Sequence, residues 1–140
     1  MINELQVKEL LSLANKAREN SYTPYSHFTV GAALLLEDES VITGCNIENA
    51  SYGGTVCAER CAIFKAVSNA NTKFKAIAIA GSPEGEEISG YAYPCGMCRQ
   101  VMREFVDPNS FKVFVLGPGG EYSENTLEEL MPYSFGPENL

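Results

Sequence analysis

Cys57-Ala58-Glu59-Arg60, with its distant complement Pro94-Cys95-Gly96-Met97-Cys98-Arg99-Gln100, decides how the chain must be arranged. Cys95 and Cys98, three apart at a helix start, lie on one face. Cys57 and Glu59 are two apart, which on the side of a helix would turn them to nearly opposite faces. The conflict disappears if both act from the first turn, off the helix end, where side chains of any azimuth reach the same point. The pattern therefore predicts two helices, starting near residues 57 and 95, whose N-termini meet.

The segment from Cys57 to about Val67 is apolar nearly all round, with only Glu59, Arg60 and Lys65 charged, and such a helix is buried on most faces. The second helix, Cys95 to about Val106, carries Cys98, Val101, Met102 and Phe105 on one stripe and stops at Asp107-Pro108. Upstream, Phe28 to Leu36 runs apolar, Glu37-Asp38-Glu39-Ser40 reads as a turn, and Val41 to Cys45 resumes: a β-hairpin. Asn3 caps an amphipathic helix over roughly residues 3–19, with Leu10, Leu13, Ala14 and Ala17 on one face, broken at Pro24. Lys75 to Ala80 is a third strand, Ser82 to Ser89 a solvated acidic loop, Phe111 to Leu116 a fourth strand, and an edge strand falls near Tyr122. Thr126 and Glu129 form a capping box for a last short helix. The class is α/β: a mixed sheet of about five strands with helices on both faces, a three-layer sandwich forming one domain over residues 1–140.

Formal net charge is -8, spread along the chain, which repels a phosphate backbone and argues against a nucleic-acid partner. No apolar run approaches the roughly 20 residues of a membrane span and no secretory signal pattern opens the chain, so a cytoplasmic location without membrane association is expected. Five cysteines, an odd number, speak against a complete disulfide framework and for metal or catalytic thiols.

Three sulfurs and one unligated acid are what a hydrolytic zinc site requires. Cys57, Cys95 and Cys98 are the candidate ligands, and Glu59 is the acid. Helix N-termini would stabilise the thiolates. Three thiolates on Zn²⁺ leave an excess negative charge, which Arg60 would offset by donating to a ligand sulfur; otherwise Arg60 is an ordinary surface arginine. The bland alternative is a closed structural site with Cys61 as fourth ligand, although Cys61 lies about 6 Å further along the helix axis than Cys57.

These two motifs resemble the zinc motifs of the cytidine deaminase family in its small homotetrameric form. Gly44-Cys45-Asn46-Ile47-Glu48-Asn49-Ala50-Ser51-Tyr52 resembles that family's nucleoside-binding loop, and with Tyr25-Ser26 and Phe28 the likeness spans essentially the whole chain. The resemblance implies one zinc per subunit on Cys57, Cys95 and Cys98, and Glu59 as proton shuttle. It also implies Asn46 and Glu48 on the ribose hydroxyls, Phe28 against the pyrimidine, Ala58 at the substrate, and Tyr52 and Phe135 lining the pocket across a subunit boundary of a homotetramer. Loop capping and solvation remain the other reading of Asn46 and Glu48, and tail packing that of Phe135. Tyr93 departs from the family, which usually places Ser or Thr before the proline.

The implied activity is hydrolytic deamination of free cytidine and deoxycytidine, with release of ammonia, in pyrimidine salvage. A relative acting on another aminated heterocycle such as blasticidin S, or a zinc-stabilised module without catalysis, are the alternatives.

Overall fold

Asn3 opens the first helix by accepting a hydrogen bond from the Gln6 amide at 2.8 Å, the expected cap. In the computed structural model, which describes residues 1–140, that helix is α1, Glu4–Ala17. It buries Val7, Leu10, Leu11 and Ala14, a spacing of three and four that makes one stripe. Leu13, expected on the stripe, is instead exposed, because a stripe centred on Leu10, Leu11 and Ala14 turns it toward solvent.

The hairpin has the expected limits: β1 is Phe28–Leu36 and β2 is Val41–Cys45, antiparallel with Gly31 opposite Cys45 and Leu35 opposite Val41. The remaining elements are α2 (Ala58–Ser68), β3 (Phe74–Pro83), α3 (Gly96–Phe105), β4 (Lys112–Leu116), β5 (Tyr122–Thr126) and α4 (Leu127–Leu130). Strand order is β2-β1-β3-β4-β5, with β3 and β4 parallel and the other neighbours antiparallel. The third strand is longer than its apolar run, because β1 keeps pairing with it as far as Phe28 opposite Pro83. Ser82, expected in a solvated loop, is consequently buried, and the Arg18 guanidinium donates to its hydroxyl.

Alternation along the strands sends one set of side chains to each face. Ala33, Leu35, Ala76, Ala78, Ala80 and Phe114 pack under α1, while Leu34, Ile77, Ile79, Val113 and Val115 pack under α2 and α3. Helices therefore cover both faces. β2 and β3 are each antiparallel to β1 and so run the same way, which makes α2 a crossover between parallel strands, as α3 is between β3 and β4. Each crossover helix starts beyond the C-terminal end of the strand before it. That topology brings both helix N-termini to the same end of the sheet, beyond the carboxyl ends of the parallel strands, where α/β folds place their ligands.

Gly44 lets α2 sit against β2: a Cβ there would lie 2.5 Å from the Ala62 nitrogen and 2.6 Å from the Ala58 carbonyl oxygen.

Candidate active site

Cys57 and Cys95 occupy the N-cap positions of α2 and α3, each with extended backbone. Neither caps its helix through its side chain, so both sulfurs are free to project beyond the helix ends. Cys98, in the first turn of α3, is fully buried. The three sulfurs lie within 4.8 Å of one another, with Cys57 and Cys95 3.8 Å apart. Four tetrahedral bonds of about 2.3 Å place zinc-bound sulfurs about 3.8 Å from each other. The donor type and spacing therefore fit zinc. Cys61 does not join the group; it lies near the half-buried Cys45, whose thiol is pushed up by burial and by the proximity of Cys61.

Arg60 points into this cluster. Its Nε is 3.4 Å from the Cys98 sulfur and its Nη2 3.3 Å from the Cys57 sulfur. The Cys98 thiol and the Arg60 guanidinium hold Cys57 down to about 5, against the opposing effect of partial burial. Cys98 is correspondingly pushed up, by its hydrogen bond to Cys57 and by its burial. The Arg60 guanidinium thus lies against both sulfurs, where it favours their ionised forms. Glu59 is 3 % exposed, and burial, aided by the Cys57 charge, pushes its carboxyl up to about 7. A buried carboxyl beside thiolates and a helix N-terminus is a group able to take and return a proton near neutrality.

Two isolated bridges, Tyr22 to Ile47 and Ile47 to Val56, lay the 46–48 segment alongside the residue that precedes Cys57. The Asn46 side chain accepts from the Val30 amide at 2.9 Å and donates to the Phe28 carbonyl at 2.9 Å, which fixes it at the start of β1. Glu48 accepts from the amides of Tyr25 (3.0 Å) and Ser26 (3.1 Å), and from the Ser26 hydroxyl. The Ser26 hydroxyl, with those amides, holds the Glu48 carboxyl below its ordinary value. Ala58 is fully buried at the start of α2. Phe28, Tyr52 and Phe135 stand partly or largely exposed, Tyr52 edge-on to Tyr25 at 6.0 Å between ring centroids. Tyr93 stacks on Tyr91 at 6.1 Å, so its ring turns to a neighbouring aromatic.

One chain thus gathers Cys57, Ala58, Glu59, Arg60, Cys95 and Cys98, and lays Asn46 and Glu48 beside them. A cavity of about 1140 Å³ lies at the other end of the sheet, between the start of β3 and the end of α3. Sequence reasoning gave no role to Ser26, Arg99, Gln100 or Arg103. Arg99 and Arg103, four apart, share a face of α3, but no local pattern marks that face as the one that meets residues 130–138.

A family model described as the cytidine and deoxycytidylate deaminase zinc-binding region matches residues 5–114. The chain is 46% identical over 136 residues to a cytidine deaminase of Sporosarcina psychrophila, covering 97% of this chain and 96% of that protein. It superposes with a TM-score of 0.81 on the crystal structure of cytidine deaminase from Burkholderia pseudomallei, at 43% identity, covering 91% of this chain and 97% of that one. A blasticidin-S deaminase of Bacillus cereus is 32% identical over 130 residues, covering 91% of this chain and 90% of that protein. No helix is long and apolar enough to cross a membrane.

Proposed function

The chain belongs to the cytidine and deoxycytidylate deaminase zinc-binding family, and from that membership we propose that it deaminates free cytidine and deoxycytidine to the uridine products with release of ammonia. The observation that carries this reading is the convergence of three sulfurs on two helix N-termini, with a buried glutamate at the same place. Cys57, Cys95 and Cys98 would hold zinc, which when bound supplies the Lewis acidity that lowers the pKa of water at neutral pH.

Glu59 moves the protons. Its carboxylate takes one as water adds to the ring carbon bearing the amino group, and delivers it to the adjacent ring nitrogen. Without that delivery the addition would leave negative charge on the ring. A second transfer through the same carboxyl lets the amine leave as ammonia. Arg60 keeps the ligand sulfurs ionised and spreads their charge. Asn46 and Glu48 engage the ribose hydroxyls from a segment already pinned to β1 and to the Tyr25-Ser26 turn. Phe28 packs on the pyrimidine, Ala58 lies at its edge, and Tyr52 and Phe135 close the pocket.

Residues 1–140 act together as one deaminase domain, in a homotetramer whose pockets lie at subunit boundaries. Support for the assembly comes from the exposure of Tyr52, Phe64, Met97 and Phe135 on a single chain. Pyrimidine salvage in the cytoplasm is the setting that fits a free-nucleoside substrate. The net charge of -8 supports the absence of a nucleic-acid partner. Greater identity to a cytidine deaminase than to a blasticidin-S deaminase favours the ordinary nucleoside.

The test is the absorbance change on converting cytidine to uridine, with zinc measured on the same preparation. Activity with one zinc per chain is expected. In Glu59→Gln, zinc should stay and turnover should fall by about 10²- to 10⁴-fold. An active Glu59→Gln variant would refute the shuttle.

A further inference from the structure

α3 carries two candidate zinc ligands at its start and, directly after them, three side chains that reach α4 and the tail beyond it. The Arg99 guanidinium donates to the Leu130 carbonyl, and its Nε donates to the Pro94 carbonyl at 2.7 Å. Gln100 donates to the Phe135 carbonyl at 3.1 Å. Arg103 is only 8 % exposed; its Nε donates to the Ser134 hydroxyl at 2.8 Å and its Nη2 pairs with Glu138. Gly136 is buried directly on that guanidinium, and a Cβ there would overlap it. Asn139 closes the turn by accepting from the Gly136 amide at 2.8 Å.

A buried arginine pays for its desolvation only where its donors are used. Here they are used on a segment that adds almost nothing to the core. The clasped tail displays Tyr133, fully exposed and in the left-handed region at φ 55, and Phe135, 57 % exposed. The clasp therefore fixes the backbone that carries both rings and leaves the rings themselves outside. Tyr133 in that conformation costs energy that the surrounding anchors offset.

We propose that Arg103 is a positioning residue for nucleoside binding: its clasp on Ser134, Gly136 and Glu138 sets the place of Phe135, and ties the tail to the helix that presents Cys95 and Cys98. The proposal rests on the reading that Phe135 lines a nucleoside pocket. Arg103 touches no substrate. It acts through the tail, so its loss weakens binding and spares the chemical step.

The zinc-loaded protein provides the test, through KM and kcat for cytidine, zinc content, and amide hydrogen exchange at Gly136. Arg103→Met and Gly136→Ala break the clasp from opposite sides; the second leaves α3 intact and has an extended backbone that accepts alanine. Each should raise KM by about fivefold to twentyfold with kcat within about twofold, one zinc retained, and faster exchange at residue 136. Arg103→Lys should recover part of the loss. Phe135→Ala should raise KM similarly, and adding Arg103→Met to it should raise KM little further. If Phe135→Ala raises KM while both clasp variants keep the wild-type value, the clasp proposal fails alone. If Phe135→Ala leaves KM unchanged, the reading beneath it fails. Clasp variants that lose zinc or kcat with KM unchanged would make Arg103 merely structural and overturn the proposal.

Discussion

Arg60 donates to two sulfurs at once, so its removal strips compensating charge from two of the three candidate ligands. Arg60→Ala should cost about 10- to 100-fold in turnover or zinc affinity, read as activity per bound zinc; near-normal values on both measures would return Arg60 to the surface. Cys61→Ser, by contrast, should keep zinc and activity, because Cys61 stands outside the sulfur group. Glu48 allows a titration to be read directly. Its folded-state pKa lies below the ordinary 4.5, so its hold on the Tyr25-Ser26 turn is complete above that value and is lost as pH falls through the lower one. The Ser26 amide resonance should therefore titrate with a midpoint below 4.5, and a midpoint above it would contradict the hydrogen bonding described. The gathering of Cys57, Glu59, Arg60, Cys95 and Cys98 could be read from the sequence because it depends on neighbours within a few positions and on two helix starts. Arg103 could not. A helical arginine is usually a solvated one, and its partners lie 31 and 35 positions downstream.

Among the elements, starts were more legible than extents. Asn3, Thr126 and the two cysteine N-caps act within three or four residues, and local pattern is enough for them. The length of β3 and the turning of Leu13 away from the core depend on what β1 and the sheet offer opposite them, which no local window contains. The placement of α2 is the element on which the site turns. Gly44 admits it to within 2.6 Å of where a Cβ would stand, and the atoms in the way belong to helix backbone, which cannot rotate aside as a side chain would. Gly44→Val should therefore destabilise the fold by about 1–3 kcal/mol, as overpacked cores do, and should shift Cys57 away from Cys95. Denaturant unfolding together with zinc content checks both effects. A variant of wild-type stability and full zinc would show that α2 is free to move outward without disturbing the sulfurs.

At the scale of the whole molecule, the sheet explains why a metal site arises where it does, while the surface leaves several large apolar side chains exposed. Both crossover helices begin at one end of the sheet, and that is enough to bring sulfurs from residues 57 and 95 to 3.8 Å. Tyr52, Phe64, Met97, Tyr133 and Phe135 are all exposed in the single chain, and α2, apolar nearly all round in sequence, has only its inner face against the sheet. Burying such rings between copies returns about 25 cal/mol per Å² of apolar surface, a drive that a net charge of -8 per chain opposes only weakly at physiological salt. The homotetramer proposed from the family resemblance makes the expected species in sedimentation at micromolar concentration four times the 15.2 kDa chain mass. Phe64→Glu, which puts a charge on the outer face of α2 away from the sulfurs, should dissociate it and reduce activity while leaving zinc bound. A fully active monomer at micromolar concentration would mean that a single chain completes its own pocket, and the roles given to Tyr52 and Phe135 would then have to be found within one subunit.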